Sequence, residues 1–257
     1  MNHHKTVQEQ YKTTDNLNTR ISIHAKYSTN KQGFGNWLFS NYDFSADNRI
    51  LELGCGTGDM WRSKIDSLDK GMELTLTDFS PNMISAAKEA LGEKDNITYD
   101  VVDIENIPYK DGCFDRIIAN MMLYHVPDLD KGLSEVKRVM CEDGFFYCAT
   151  YGENGIMFFI AGLLKEYGIT DDTNKNFTLQ NGEAILNKYF SHIQRLDYKD
   201  SLAVTNVEDI LDYIYSLTNL SSVTQLGRKV LKEVLEREMV DGVLNIPKEY
   251  GMFICRK

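Results

Sequence analysis

Three glycines at alternate positions, Gly54, Gly56 and Gly58, follow an apolar run carrying one carboxylate, Glu52, in the stretch ILELGCGTGDMW. With no Cβ in the way, glycines at a strand-to-helix turn let backbone N–H groups approach a ligand closely. Two more carboxylates stand in matching places. Asp78 lies 20 residues after Gly58 at the end of LTLTD, and Asp103 ends NITYDVVD. A carboxylate at such a strand end can accept hydrogen bonds from both hydroxyls of a ribose. The loop is no dinucleotide fingerprint, because its glycines run GxGxG and Asp59 takes the place of the third, and no GK[ST] follows to make a P-loop. Taken singly, the glycines would also serve a tight turn, Asp78 a helix cap before Ser80, and Asp103 a surface loop.

Two acids beside a glycine loop without a phosphate-binding lysine suit a ligand with a ribose and a positive charge rather than a pyrophosphate. S-adenosylmethionine meets that description.

The elements that must position these residues alternate between short apolar runs and amphipathic segments, the pattern of strand-helix units around a parallel sheet. Arg49 to Leu53 reads as a strand, a helix is expected from about Asp59, and Met72 to Asp78 as the second strand. SPNMISAAKEALG gives a helix with an N-cap at Ser80, proline in its first turn and a stop at Gly92. Asn96 to Asp103 and Phe114 to Leu123 supply two more strands. DLDKGLSEVKRVM puts Leu129, Leu133, Val136, Val139 and Met140 on one helical face, and CEDG turns into the strand FFYCAT. After Tyr151 the alternation breaks into a long, partly helical stretch. GEAILNKYF then resumes as a helix, HIQRLDYKD as a strand, NVEDILDYIYSLT and QLGRKVLKEVLEREMV as helices, and YGMFICRK as a closing strand.

LELGCGTGD, LTDFSPNMI, VVDIENIPYKDGCFDRIIANMMLYHVPD and LSEVKRVMCEDGFFYCATY resemble, in order and spacing, the successive motifs of class I S-adenosylmethionine-dependent methyltransferases, in the type 11-like group that methylates small molecules. The likeness covers about residues 49 to 151. It implies an α/β fold with a Rossmann-like seven-stranded sheet, mostly parallel with an antiparallel last strand, and helices on both faces. Residues 1–45 would form an N-terminal helical lid segment and residues 46–257 the core, with a helical insertion at about 152–180. Arg20 to Phe44, rich in aromatics, reads equally as part of such a lid or as a helix packed on the sheet edge.

The resemblance also implies site roles. Glu52, Gly54 and Gly56 would border the methionine moiety, with Cys55 between them as a small filler rather than a nucleophile. Asp78 would bind the ribose diol, Phe79 would lie beside the adenine, and Met83 belongs to the same set. Asp103 would take the adenine amine, with Ile104 bounding the ring, and Asn120 would offer its backbone carbonyl to the methionine ammonium. Apart from the resemblance, Tyr27 would line the acceptor pocket or contact the sulfonium through its ring face, or else serve ordinary packing. His125 and Tyr124, in LYHVPD, are the candidate catalytic residues, His125 as a general base near neutral pH or as a brace for the loop before Pro127. The segment ANMMLYH lacks the NPPY-type tetrad of base-amine methylation. Asn120 replaces the acid of metal-dependent catechol-type enzymes, and the cysteines lack the clustering of arsenic methylation.

The formal charge of −10 sets a net repulsion against polyanions, and lysines and arginines are scattered rather than patched, which disfavours nucleic acid. Five cysteines without a CxxC pair fit reduced thiols in the cytoplasm and no metal site. The first residues, MNHHKTVQEQYKTTDN, lack the apolar stretch of a secretory signal, and GIMFFIAGLL is too short to span a bilayer. The expected partners are a small-molecule methyl acceptor and no membrane, in a monomer or homodimer. The expected cofactor is S-adenosyl-L-methionine, leaving as S-adenosyl-L-homocysteine, with transfer to an O, N or C atom. The alternatives are an RNA or protein methyltransferase and a non-catalytic S-adenosylmethionine-binding protein.

Overall fold

The structure, a computed structural model, describes residues 14–217 and 223–257. In chain order its main elements are α1 (Thr14–Tyr27), α2 (Phe34–Ser40), β1 (Arg49–Leu53), β2 (Glu73–Asp78), α3 (Pro81–Leu91), β3 (Ile97–Val101), β4 (Phe114–Asn120), α4 (Leu129–Val139), β5 (Met140–Tyr151), α5 (Ile156–Leu163), α6 (Gly182–Leu186), β6 (His192–Val204), α7 (Val207–Ser216), α8 (Arg228–Arg237) and β7 (Leu244–Arg256). They divide into two compact units. One comprises Phe34–Tyr151, Asn176–Asp197 and Gly251–Lys257, and the other the described residues up to Gly33 with Gly152–Lys175 and Tyr198–Tyr250.

The strand order is β3-β2-β1-β4-β5-β7-β6. The sheet is parallel from β3 through β5 and has antiparallel last strands, the implied architecture. Central parallel strands are covered on both faces, so their apolar residues lie on both sides of the sheet. Their alternate residues serve two cores. Leu51, Leu53, Ile117, Ala119 and Phe146 pack with Leu133, Val136 and Val139 of α4. Ile50, Leu74, Leu76, Ile118 and Tyr147 pack with Leu38, Trp61 and Leu91.

Four local expectations are corrected. No α-helix begins near Asp59: the chain makes tight turns there, with Trp61 N–H on Gly58 O and Lys64 N–H on Trp61 O, and then a 3-10 turn at Ile65–Ser67. The Trp61 side chain is drawn fully inward, so this segment cannot lay an amphipathic face on the sheet. The fourth strand ends at Asn120 rather than Leu123, because Met121 adopts a left-handed φ of 54° and Leu123–His125 winds into a 3-10 turn. CEDG is a bulged excursion inside β5, where the register against β4 shifts between Phe114 and Arg116. Ser80 starts α3 without a side-chain cap, and its own N–H is taken by Asp78. The stop at Gly92 stands, with φ 78° and its N–H on Lys88 O.

The other unit is built on a core that joins Ile23 of α1, Ile156 and Ile160 of α5, Val207, Ile210, Leu211 and Ile214 of α7, and Leu231 and Leu235 of α8. The apolar segment GIMFFIAGLL is α5 here. The same unit holds an ion pair, Lys248 with Asp200, whose side chains are 3% and 0% exposed. Asp200 also accepts from Ser28 Oγ and Asn30 N–H. Among the described residues no helix is long and apolar enough to cross a membrane.

Candidate functional site

The carboxyl ends of β1 to β4 gather the glycine loop and the acids. Strand order reverses between β1 and β4, and ligands of open α/β sheets bind in the crevice at such a switch point. Gly54, Gly56 and Gly58 all adopt positive φ, at 74°, 57° and 75°. A Cβ on Gly54 would stand 2.9 Å from Met122 Cγ, and one on Gly58 2.7 Å from Leu91 Cδ1, whereas one on Gly56 would meet nothing within 4 Å. The outer glycines are thus bare for packing. The middle one faces open space that a ligand can use. Gly58→Ala should cost roughly 1–2 kcal/mol from the left-handed backbone, with Leu91 able to rotate aside; a thermal melt checks this.

The loop is tied to the end of β2 by Cys55 N–H on Thr77 O at 2.8 Å and Thr77 Oγ1 on Glu52 O at 2.7 Å. Asp78 holds it from the other side, Oδ2 accepting from Gly56 N–H at 3.0 Å and Oδ1 from Ser80 N–H at 2.8 Å. Each oxygen keeps a lone pair for a ribose hydroxyl. Burial raises the Asp78 carboxyl above its ordinary range while those two amides oppose it. Burial likewise raises the Cys55 thiol, the opposite of what a nucleophile needs.

Glu52 is 3% exposed and accepts from Trp61 Nε1 at 2.5 Å. Burial pushes its carboxyl up to about 7; the indole N–H pulls it down and Asp78 adds to the rise. Asn120 ends β4 with Nδ2 donating to Tyr42 Oη at 2.8 Å, and its Oδ1 is buried without a hydrogen-bond partner. Asp103 caps the 3-10 turn Ile104–Asn106, accepting from Glu105 N–H at 2.9 Å. Ile104, 6% exposed, packs in the core towards Gly132. Phe79 is half-buried beside Asp78, and Met83, 9% exposed, lies in the first turn of α3. Tyr124 contacts the His125 ring at 4.4 Å and the Tyr151 ring at 4.6 Å, forming an aromatic row past β4.

The structure therefore gathers Glu52, Gly54, Cys55, Gly56, Asp78, Phe79, Met83, Asp103, Ile104, Asn120, Tyr124 and His125 in one unit. Tyr27 belongs to the other unit, where its hydroxyl donates to Asp209 at 2.5 Å beside Lys26. Three contributors were not singled out from the sequence: Tyr42, Met60 and Trp61. The density of aromatics before β1 was the one signal for Tyr42; Met60 and Trp61, just past the glycine loop, had none. Among the described residues no His, Cys, Asp and Glu group could hold a metal ion. The open face at Gly56, the acid at the end of β2 and the orphaned Asn120 oxygen fit a ligand with a ribose and an ammonium, as S-adenosylmethionine has.

Comparisons with known proteins agree. A family profile described as "Methyltransferase domain" matches residues 51–148. Methyltransferase GfsG of Streptomyces halstedii is 30% identical over 112 residues, which are 42% of this chain and 39% of that protein. Demethylmenaquinone methyltransferase of Staphylococcus aureus is 28% identical over 145 residues, 56% of this chain and 58% of that one. The chain thus spans about two-fifths to three-fifths of the length of these relatives. Phosphoethanolamine N-methyltransferase 2 of Haemonchus contortus, solved in complex with S-adenosyl-L-methionine, shares the fold at a TM-score of 0.64 and 17% identity, over 100% of this chain and 60% of that one. Motifs, sheet order and profile converge on one statement: residues 51–148 match the methyltransferase-domain family, on a sheet with the Rossmann-like fold of solved methyltransferases.

Proposed function

We propose that this protein transfers the methyl group of S-adenosylmethionine to an O, N or C atom of a small molecule. The observation that carries the reading is Asp78, whose carboxylate is held against the Gly56 N–H at the switch point with both oxygens still able to accept. The sulfonium supplies an activated methyl group. The chain's own residues then bind, orient and exclude water, since an in-line approach is the main requirement of such a transfer. Asp78 holds the ribose, Asp103 reads the adenine amine, and Gly54 and Gly56 let the backbone close on the methionine half. His125 serves as the base where the acceptor nucleophile arrives protonated, and Tyr124 orders the aromatic row beside it.

A small acceptor in the cytoplasm suits the surface: a net charge of −10 repels nucleic acid. The relative from Staphylococcus aureus, by its name, acts on demethylmenaquinone, which points to the same class. Calorimetric titration with S-adenosylmethionine, S-adenosylhomocysteine and NADH is the test. The first two should bind in the micromolar range, and Asp78→Ala should weaken both by about a hundredfold, the loss of two hydrogen bonds to a charged group. Binding of NADH alone would end this reading.

A further inference from the structure

Over the β5-β7-β6 end of the sheet the described residues bound an open cavity of about 530 Å³, a volume that suits a small ligand. Its lining lies wholly in the unit that carries β1 to β5. It is set towards the amino ends of the strands. Phe145, in its lining, pairs with Arg116 near the start of β4, whereas the glycine loop and the acids gather at the carboxyl ends. Alternate residues of a strand share a face. Phe145 and Tyr147 of β5 and Ile254 and Arg256 of β7 line the cavity, and Phe145 and Ile254 pack on the core that holds Trp61 and Leu38.

Two guanidinium groups, one from each flanking strand, meet the Phe145 ring. Arg116 of β4 stands 4.7 Å from its centroid and Arg256 of β7 4.3 Å. Their other contacts differ. Arg116 is buried and committed: Nε donates to Asp43 O, Nη1 to Asp115 O, and Nη2 lies 3.6 Å from the Asp43 carboxylate. Arg256 is exposed and has neither a carboxylate nor a hydrogen-bond partner among the described residues. A guanidinium held over a ring keeps its N–H donors for other groups, and their fork matches the two oxygens of a carboxylate or phosphate. His192 and Gln194 of β6 bring further donors to the same cavity, also without a partner among the described residues. Of the acids in the lining, Asp43 is answered by Arg116, and Glu183 stands on α6, whose Leu186 packs in the opposite core. An anion with an apolar body answers the free fork and the Phe145, Tyr147 and Ile254 surface together.

The cavity also touches a segment that reaches the switch point. Asn41 and Asp43 line it, while Tyr42 between them receives the Asn120 amide on its hydroxyl at 2.8 Å. The backbone of Asp43 is clamped on both sides, its N–H on Tyr147 Oη at 3.0 Å and its carbonyl on Arg116. A ligand that presses on Tyr147 or draws on Arg116 therefore displaces Tyr42. We propose that this cavity is a second ligand site, for a small aromatic carboxylate or phosphate ester seated on Arg256, and that its occupation changes affinity at the cofactor site through residues 41–43. The site stands apart from the methyltransferase reading; the coupling rests on it.

The test titrates the whole protein with benzoate, phenyl phosphate and the uncharged control benzamide, followed by ligand-observed NMR. The wild type should bind at least one anion about tenfold more tightly than benzamide, the worth of a charge-assisted hydrogen bond, and the better anion tells carboxylate from phosphate. Arg256→Gln should erase that preference. It should leave benzamide binding, the melting temperature and the affinity for S-adenosylhomocysteine without anion close to wild type. Phe145→Leu should weaken all three probes. Saturating anion should change S-adenosylhomocysteine affinity in the wild type by about fivefold to a plateau, and should not do so in Arg256→Gln. Anions that bind no better than benzamide, or that keep their preference in Arg256→Gln, would overturn the site. So would a loss of S-adenosylhomocysteine affinity that grows with anion concentration without a plateau, the mark of competition in the cofactor pocket. An unchanged affinity under saturating anion would overturn the coupling. Failure of S-adenosylhomocysteine to bind without any anion would remove the methyltransferase reading and the coupling with it, and the anion preference would then decide the site alone.

Discussion

Glu52→Gln should stabilise the ligand-free protein by about 3 kcal/mol at pH 8 and change it little at pH 4.5. Burial raises this carboxyl from 4.5 to about 7, and each unit corresponds to about 1.4 kcal/mol. The folded state holds the proton more tightly than the unfolded state, so the stability present below pH 4.5 is lost as pH rises to about 7 and stays lost above it. Glutamine keeps an oxygen for the Trp61 N–H and carries no charge to bury. Urea unfolding of both proteins at the two pH values, read as midpoints at constant slope, measures the difference. His24 titrates in the opposite sense. Burial and then Lys248 lower it to about 4, which favours unfolding as pH falls below 6.5. It is common to both proteins and cancels. Equal effects at both pH values would show that Glu52 ionises freely in the fold.

Lys248→Met should destabilise the protein by roughly 3–5 kcal/mol, because it strands the Asp200 carboxylate where neither side chain reaches water. Burial lowers the Lys248 ammonium, and Asp200 opposes that shift. Burial pushes Asp200 up, but the Lys248 ammonium and donors from Asn30 and Ser28 more than offset it, and its carboxyl lies below the ordinary range. The double variant Lys248→Met/Asp200→Leu should recover most of the loss, since apolar groups of similar volume replace the pair without an unpaired charge. A double-mutant cycle by denaturant unfolding separates the two terms. Additive losses would mean that the pair is not coupled.

The parallel strands were legible from short apolar or alternating segments set between turn residues, and α3 because proline and glycine punctuate it. The glycine loop was legible for a related reason: positive φ at Gly54, Gly56 and Gly58 selects a residue type that stands out in any sequence. Asp78 and Asp103 followed, since strand ends can be counted from those runs. These features depend on a residue's own chemistry or on its near neighbours in the chain.

What failed to be legible depends on distant residues. The helix expected near Asp59 gives way because Glu52, nine positions earlier, claims the Trp61 indole. The Tyr27 hydroxyl donates to Asp209, 182 positions away, a pairing no spacing announces. The raised Glu52 carboxyl needs a dry core around it, and no spacing reveals one. The direction of the Asn120 amide is set by Met60 and Tyr42, 60 and 78 positions away, from two different segments. The sequence by itself determined which backbone groups could approach a nucleotide-like ligand and the order of the strands carrying them. Only the tertiary structure decided which buried groups are left unpaired, because burial and hydrogen-bond satisfaction arise when segments remote in sequence close on one another.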